Sequence, residues 1–261
     1  MKENVEKKYE IQKITMDFID LSNYQIEEFV SNLKSIHIEL SENQIKQFIT
    51  YYELLVEWNK AINLTAITEF DDVIRKHFID SVSLIHAVDL NQNLSIVDVG
   101  TGAGFPGIPL KIAFPNLEIV LLDSLNKRIQ FLNEVINVLG LENIKTVHGR
   151  AEDFAKPGKL REKFDLCVSR AVANMTTLSE YCLPFVKVNG SFISYKSEKV
   201  TEEAKAAEKG IGILGGKIKD QIEFNLPGSD IYRNLFIIDK IKQTPKTYPR
   251  KAGLPSKEPI S

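Results

Sequence analysis

Hydrophobic positions recur at helical spacing through the first ninety residues of the chain. Ser41 and Gln44 form a capping-box signature, which is typical of a helix N-terminus, just before the strongest of these patterns. The spacing predicts helices over residues 24–38, 41–60 and 71–87. Residues 1–23 are polar and charged and are predicted to be an N-terminal extension. We therefore expect residues 24–90 to form a helical cap.

The pattern changes at residue 94, where short β-branched runs begin to alternate with helical stretches. Strands are predicted over residues 94–99, 118–122, 144–147, 164–168 and 191–195, and helices over 127–139, 177–185 and 199–209. Apolar residues at Phe224 and over 235–238 predict a final antiparallel hairpin at the edge of the sheet. Strands that alternate with helices form a parallel sheet covered on both faces. Residues 91–239 are therefore predicted to form one α/β domain.

Composition and charge exclude several classes of protein. The sequence is 43% hydrophobic and 26% charged, which is typical of a globular protein and not of a disordered or collagenous one. Cys167 and Cys182 cannot form a disulfide framework, so we expect two buried, reduced thiols. The N-terminus lacks the apolar core of a secretory signal, and no apolar run approaches the ~20 residues of a membrane span. We expect a cytoplasmic protein.

The last part of the chain, residues 240–261, differs in charge from the rest. The formal net charge of the whole chain is −2, but this segment has six basic residues, one acidic residue and four prolines. Such a composition predicts an extended, poorly packed tail. Total charge alone argues against nucleic acid as a partner, whereas the basic side chains here could lie along RNA phosphates. These side chains are Lys246, Arg250, Lys251 and Lys257.

A cluster of glycines follows the first predicted strand. Residues 100–107 read Gly-Thr-Gly-Ala-Gly-Phe-Pro-Gly, and glycines at a strand end let the backbone approach a ligand closely. Residues 102–107 match the G-x-G-x-x-G pattern, and Asp123 follows at a distance suited to a ribose contact. A nicotinamide-dependent oxidoreductase is therefore one interpretation.

Asp98, two residues before the first of these glycines, favours a different ligand. A carboxylate here would repel a pyrophosphate, but it suits the sulfonium and ammonium of S-adenosylmethionine. The combination of Asp98, the glycine loop and Asp123 resembles the cofactor site of class I methyltransferases, with Asp123 on the ribose hydroxyls. In that family pattern, residues 149–152 after the third strand would bracket the adenine.

The residues after the fourth predicted strand narrow the choice of methyl acceptor. Amine methyltransferases usually carry Asn/Asp-Pro-Pro-Tyr/Phe there, whereas this chain reads Val-Ser-Arg-Ala-Val over 168–172. Carbon methylation of pyrimidines needs a cysteine nucleophile in a loop, and neither Cys167 nor Cys182 is placed in one. No general base is evident. A ring nitrogen with a lone pair, such as guanine N7, loses no proton before attack, so positioning could supply most of the catalysis.

An ordered series of motifs identifies a more specific resemblance, over roughly residues 24–261. The motifs occupy residues 57–65 (Glu-Trp-Asn-Lys-Ala-Ile-Asn-Leu-Thr), 76–81 (Lys-His-Phe-Ile-Asp-Ser), 98–109, 122–128 and 168–171. They resemble the RsmG (GidB) family of small-subunit ribosomal RNA methyltransferases, which modify guanine N7. The resemblance implies a Rossmann-like class I methyltransferase sheet with an N-terminal helical cap. It also implies S-adenosylmethionine as cofactor, no metal, and ribosomal RNA or the 30S particle as partner.

Site residues follow from the glycine loop and from this resemblance together. The expected cofactor-binding residues are Asp98, Gly100, Gly102, Gly104, Phe105, Asp123, Ser124, Leu125, Ala151, Glu152 and Arg170. The expected catalytic or RNA-facing residues are Asn63, His77, Arg170 and Lys196. Ser197 and Glu198 follow Lys196 where the family often has a glycine. We expect a monomer that does not associate with membranes.

Three other interpretations remain open on the sequence. One is the nicotinamide-dependent oxidoreductase, which calorimetry with NAD and S-adenosylmethionine would distinguish. Another is a non-catalytic ribosome-assembly factor that keeps the fold and binds RNA. A small-molecule methyltransferase is disfavoured by the basic tail.

Overall fold

A seven-stranded mixed sheet forms the centre of the molecule. The computed structural model describes residues 14–170, 173–198 and 200–260, so the predicted N-terminal extension lies outside the described residues up to residue 13. The strands are β1 (Ser95–Val99), β2 (Glu118–Asp123), β3 (Ile144–His148), β4 (Phe164–Arg170), β5 (Val186–Lys196), β6 (Gly216–Asn225) and β7 (Tyr232–Lys240). All five predicted central strands and the predicted final hairpin are present.

The strand order explains where a ligand can bind. The sheet runs β3-β2-β1-β4-β5-β7-β6, with β1 to β5 parallel and β7 antiparallel to both of its neighbours. The order reverses beside β1, which pairs with β2 on one side and β4 on the other. Open α/β sheets bind ligands in the crevice at the carboxyl ends of their strands at such a point. The glycine loop and Arg170 both lie at this edge.

Within the described residues, two short 3₁₀ turns (Met16–Phe18 and Leu21–Asn23) and then three longer helices form the cap before the sheet. Helix α1 spans Glu27–Ser35, and α2 spans Glu42–Ile62, slightly longer than predicted. The predicted capping box is present, because the Gln44 amide donates to Ser41 Oγ and the Ser41 amide donates to Gln44 Oε1. This double exchange satisfies two N–H groups that a helix start leaves without partners.

The third predicted helix is present but irregular. It begins as an α-helix (Phe70–Val73), widens into a π-helix (Ile74–Ile79), returns to an α-helix (Asp80–Val82) and ends in a 3₁₀ turn (Ser83–His86); we call this whole segment α3. Widened turns of this kind often occur at functional sites. Here the Lys76 carbonyl oxygen accepts a hydrogen bond from Arg170 Nη1 at 3.0 Å, so a strand of the sheet contacts the wide turn directly.

The remaining helices cover the two faces of the sheet. They are α4 (Gly107–Ala113), α5 (Asn126–Val138), α6 (Ala151–Phe154), α7 (Met175–Cys182), α8 (Thr201–Ile213) and α9 (Leu254–Lys257). One buried cluster joins the cap, including Trp58, to Ile96 and Val168, and a second joins α7 and α8 to Val97 and Cys167. Adjacent strand residues thus face opposite layers, as the alternation of side chains along a strand requires. The cap, together with α4 and α5, therefore forms one of the two layers that cover the sheet.

The C-terminal tail is packed, so the prediction of a poorly packed segment was wrong. Thr244, Pro249, Pro255 and Ile260 are all buried. Arg161 donates to the carbonyl oxygens of Thr244 and Tyr248, which fixes the path of the tail across the surface. The prolines and basic residues suggested solvation, but two of the prolines are themselves buried, and Ile260 belongs to the buried cluster that contains α7 and α8.

Two further predictions concern the state of the two cysteines and membrane-spanning helices. Cys167 and Cys182 are free and buried, as expected. None of the helices in the described ranges is long and apolar enough to cross a membrane.

Candidate active site

The glycine loop turns sharply between β1 and α4 because three of its glycines adopt positive φ angles. These angles are 72° at Gly100, 62° at Gly102 and 102° at Gly104. A Cβ atom at Gly104 would lie 2.6 Å from an Ile108 side-chain carbon, so only glycine fits there. At Gly102 a Cβ atom would meet nothing within 4 Å, so this part of the loop borders open space.

Asp98 lies beneath the loop and holds it. Its Oδ2 accepts hydrogen bonds from the Thr101 hydroxyl at 2.6 Å and from the Gly107 amide at 2.9 Å. The side chain is fully buried, and burial raises its pKa from 3.8 to about 7. Within the described residues, Asp98 Oδ1 has no hydrogen-bond partner. Asp98 therefore shapes the loop and also presents a buried carboxyl oxygen that is unsatisfied.

Asp123 connects the end of β2 to the loop. Its Oδ2 accepts from the Gly102 amide at 2.9 Å and from Arg128 Nη1 at 3.3 Å, while Oδ1 accepts from the Leu125 amide at 2.9 Å. Leu125 is 53% exposed, so an apolar side chain lies at the surface near this strand end.

A cleft opens at the carboxyl ends of the first three strands. It is lined by Val99, Gly100, Leu122, Asp123, Ser124, Gly149, Arg150, Ala151, Glu152 and Tyr181. Five predicted cofactor residues therefore meet here, namely Gly100, Asp123, Ser124, Ala151 and Glu152. The other predicted residues, Asp98, Gly102, Gly104, Phe105, Leu125 and Arg170, are not among its lining residues. Arg150 and Gly149 also line the cleft, as members of the segment 149–152 that was expected to bracket the adenine, whereas Tyr181 lines it although the sequence analysis gave it no role.

A second cavity, which we call the acceptor pocket, lies at the carboxyl ends of β4 and β5. Its volume of about 420 Å³ falls in the range typical of small-molecule sites. His77, Arg170 and Lys196 all line it, so the structure brings together three of the four predicted catalytic residues. Asn63 is not among its lining residues; it ends α2 in a left-handed conformation with φ of 48°.

Phe105 of the glycine loop lies against the acceptor pocket. Its ring stacks on His77 at 4.5 Å between centroids, and the Arg170 guanidinium lies 5.0 Å from the centre of the same ring. Such a cation over an aromatic face is an attractive arrangement. Phe105 thus links the loop after β1 to the residues of the acceptor pocket.

Two arginines of the acceptor pocket share one buried carboxylate. Arg170 Nη1 donates to Asp80 Oδ2 and Arg233 Nε donates to Asp80 Oδ1, both at 2.7 Å. Asp80 is 3% exposed. A buried carboxylate between two guanidinium groups fixes their directions and offsets their charge.

His77 is held as a neutral ring within this network. Its Nδ1 lies 3.2 Å from Arg170 Nη2 and its Nε2 lies 3.0 Å from Thr65 Oγ1. Burial and the nearby Arg170 charge lower the pKa of His77 from 6.5 to about 3. Both ring nitrogens have neighbours, so His77 is not arranged to take a proton from a substrate.

Lys196 is also paired. Its Nζ donates to Glu203 Oε1 at 2.8 Å, and the same oxygen accepts from the Met175 amide. The buried Ser194 hydroxyl, on the same strand, has no hydrogen-bond partner within the described ranges. The sequence analysis did not anticipate Ser194, although it too lines the acceptor pocket.

The two cysteines lie away from any reacting position. Both are in the buried cluster between the sheet and α7, and burial raises the pKa of the Cys167 thiol. Cys167 lies in β4 and Cys182 in α7, the strand and the helix in which the sequence placed them.

Comparisons with known proteins identify the family. A family model described as rRNA small subunit methyltransferase G, GidB, matches residues 44–227. The ribosomal RNA small subunit methyltransferase G of Lachnoclostridium phytofermentans is 55% identical over 232 residues, covering 89% of this chain and 96% of that protein. The protein of the same name from Exiguobacterium sp. is 51% identical over 233 residues, covering 89% and 98%.

The chain belongs to the GidB family.

The structural comparison confirms the fold class. TYW2 of M. jannaschii, solved in complex with AdoMet, matches with a TM-score of 0.51 at 16% identity, over 69% of this chain and 81% of that one. At this identity the match shows a shared Rossmann-like fold. The predicted family, the methyltransferase class of reaction and the fold are confirmed, and an oxidoreductase is not supported.

The sequence analysis missed two residues of the acceptor pocket, Asp80 and Arg233, and the family match does not indicate that they are paired. Asp80 lies inside the motif at residues 76–81, but nothing in that motif indicates that its partner is Arg233, on a strand 153 residues away. The matched region ends at residue 227, so it includes both the cleft and most of the acceptor pocket but not Arg233 or the C-terminal tail.

Proposed function

We propose that this GidB protein transfers a methyl group from S-adenosylmethionine to N7 of a guanine in 16S ribosomal RNA. The observation that carries this proposal is the chemistry of the acceptor pocket. Its buried centre is cationic, its carboxylate Asp80 is bound to both Arg170 and Arg233, and its histidine is neutral and engaged. Such a site suits an acceptor atom that has a lone pair and no proton to lose.

The cleft beside the glycine loop has the chemistry that the cofactor requires. Asp123 and Glu152 line it with two carboxylates, and the unsatisfied Oδ1 of Asp98 is a further acidic oxygen below the loop. The Asp98 oxygen suits a ligand that carries a sulfonium and an ammonium. Asp123 would hold the ribose hydroxyls and the segment 151–152 would lie beside the adenine, with Gly100 and Ser124 also in contact with the ligand.

The bound cofactor supplies an electrophilic methyl group on a sulfonium, so no metal and no proton transfer are needed. The protein's task is to place the guanine against it and to exclude other orientations. Arg170 and Arg233 present guanidinium donors suited to the O6 atom of guanine or to a phosphate oxygen. Lys196 would orient the nucleotide, and Asn63, outside the lining of the acceptor pocket, would face the RNA.

Analysis of ribosomal RNA from a strain that lacks this gene tests the proposal. Mass spectrometry of 16S RNA fragments is expected to show the loss of one 7-methylguanosine, and the gene supplied in trans is expected to restore it. An unchanged 7-methylguanosine content would contradict the proposal. Restoration by the Arg170→Ala variant would instead favour a non-catalytic RNA-binding role.

We further propose that the protein acts as a monomer in the cytoplasm, where its RNA substrate resides. Transfer of labelled methyl to isolated 30S particles and to free 16S RNA, side by side, would show which form of the RNA is the substrate.

A further inference from the structure

The C-terminal tail reaches the wall of the cofactor cleft. The Gly253 amide donates to Glu152 Oε1 at 2.8 Å, and Glu152 is 4% exposed. Gly253 has a φ of 84°, and a Cβ atom on it would lie 3.5 Å from Arg150 Nη1. The tail therefore touches two of the residues that line the cleft.

A buried ion pair anchors the same stretch of chain. Arg250 Nη2 donates to Glu180 Oε2 at 2.7 Å, Arg250 Nε lies 3.0 Å from Oε1, and the Arg250 amide donates to Oε1 at 2.7 Å. Glu180 is 1% exposed. Bidentate pairing fixes both position and orientation, so Arg250 is held and is not available along RNA phosphates as the sequence suggested.

The ion pair of Arg250 and Glu180, which we call the anchor, lies directly next to the cleft. Glu180 precedes Tyr181 on α7, and Tyr181 is one of the lining residues. On the same helix the Thr177 hydroxyl donates to the Pro255 carbonyl oxygen at 3.2 Å. The tail is thus fixed to α7 on both sides of Gly253.

We propose that residues 248–258, which we call the C-terminal strap, are part of the cofactor site and position Glu152. The inference rests on the proposed function, because it takes Glu152 as a cofactor-binding residue. Arg250 is the positioning residue: it holds the strap, and the Gly253 amide holds the Glu152 carboxylate in one orientation. A carboxylate fixed in advance loses less freedom when the ligand binds.

Substitution at the anchor tests the strap. Arg250→Ala is expected to raise KM for S-adenosylmethionine about five- to tenfold, with kcat and KM for RNA changed less than twofold. Arg250→Lys is expected to recover part of the affinity. The double variant Glu180→Gln/Arg250→Ala avoids a buried unpaired carboxylate and is expected to show the same rise. Lys187→Ala, which breaks an ion pair with Asp165 far from the cleft, is the control. An unchanged KM for S-adenosylmethionine in a folded variant would overturn the proposal.

Hydrogen exchange on the unmodified protein provides a second test that does not depend on folding of a variant. Adding S-adenosylmethionine is expected to slow exchange in the peptide that contains Gly253. Unchanged exchange there, with slowed exchange at residues 100–107, would overturn the role of the strap and leave the proposed function intact. Absence of any binding of S-adenosylmethionine would instead contradict the proposed function.

Discussion

Asp80 shows how a single buried carboxylate can organise a site. It accepts hydrogen bonds from two arginines of different strands, and it lies at the end of the wide turn of α3. Removing its charge would leave Arg170 and Arg233 facing each other without a counterion. The acceptor pocket therefore depends on Asp80 even though the side chain need not touch RNA.

We predict that Asp80→Asn lowers the free energy of unfolding by about 3 kcal/mol and abolishes most methyl transfer. Urea denaturation and incorporation of labelled methyl groups measure the two effects. Asp72→Asn is a matched control, because Asp72 pairs with Lys76 at the surface and each side chain is more than a third exposed. That pair is expected to contribute less than about 1 kcal/mol. Equal effects of the two substitutions would contradict the assigned role.

The lowered pKa of His77 predicts how the stability of the protein depends on pH. Its pKa in the folded protein is about 3, whereas the ordinary value is 6.5. Below pH 6.5 the unfolded chain therefore binds a proton that the folded chain does not, so this contribution to stability is lost as pH falls from 6.5 toward 3. The slope reaches about 1.4 kcal/mol per pH unit.

Denaturation midpoints between pH 4 and 8 measure that slope. The His77→Gln variant is expected to lose less stability than the natural protein as pH falls through this window. Nuclear magnetic resonance is expected to show a His77 ring that does not titrate between pH 5 and 8. A ring that titrates near 6.5 would contradict the neutral, engaged state of this side chain.

For single residues, the sequence indicated which side chains lie together in the acceptor pocket but not which hydrogen bonds and ion pairs connect them. The motif at residues 76–81 pointed to His77, and the end of the fourth predicted strand pointed to Arg170. Their shared partner Asp80 and the second arginine, Arg233, could not be paired from spacing, because strand order places β7 beside β5. Helical spacing gave no sign of the π-helix that brings Lys76 to Arg170.

At the scale of elements, helix α2 of the cap reaches the glycine loop. The Tyr51 hydroxyl donates to the Ala103 carbonyl oxygen, and Tyr51 is fully buried against Phe78 and Phe105. A Cβ atom on Gly104 would lie 2.8 Å from that hydroxyl. The cap therefore shapes the loop as well as covering the sheet.

Tyr51→Phe is predicted to raise KM for S-adenosylmethionine about threefold and to cost about 1 kcal/mol of stability, because the loop loses one buried hydrogen bond. The neighbouring Tyr52→Phe removes a hydroxyl that bonds the Thr68 carbonyl oxygen at 3.1 Å, within the cap. It is expected to leave KM for the cofactor unchanged. Initial-rate kinetics at saturating RNA measure KM for S-adenosylmethionine in the two variants. Equal KM values would contradict a role of Tyr51 in shaping the glycine loop.

The elements were predictable where local patterns decide them and not where packing does. Alternating apolar strands and the capping box at Ser41 marked β1 to β5 and α2 to within a few residues, apart from an earlier start to β5. The tail was predicted wrongly because its prolines and charges dominate the local composition. Its order comes from long-range contacts, such as Arg250 with Glu180 and Arg161 with three backbone carbonyl oxygens of the tail, which local composition does not reveal.

At the scale of the whole molecule, the net charge of −2 averages two different regions. Residues 1–60 carry seven basic and eleven acidic side chains, whereas residues 240–261 carry six and one. Within the tail, Arg250 and Lys240 are engaged with Glu180 and Glu162. The exposed lysines of the tail remain suited to contact RNA phosphates.

Replacing Lys242 and Lys246, two exposed lysines of the tail outside the strap, by glutamine is predicted to weaken RNA binding and to lower the slope of log affinity against log salt by about 1.4, as expected for two contacts with single-stranded RNA. Affinity for S-adenosylmethionine is expected to stay the same. Lys34→Gln/Lys46→Gln, on the cap, is the charge-matched control. Binding measured by fluorescence anisotropy at several salt concentrations tests this, and identical slopes for both pairs would contradict it.

The central claim is that the cleft and the acceptor pocket together methylate guanine N7. The most direct test incubates the purified protein and its Arg170→Ala variant with S-adenosylmethionine labelled in the methyl group and with 30S particles or 16S RNA from a strain that lacks the gene. Digested nucleosides are then separated and identified by mass spectrometry. We predict labelled 7-methylguanosine at one site with the natural protein and almost none with the variant. No label in RNA, or label on another atom or base, would contradict the account.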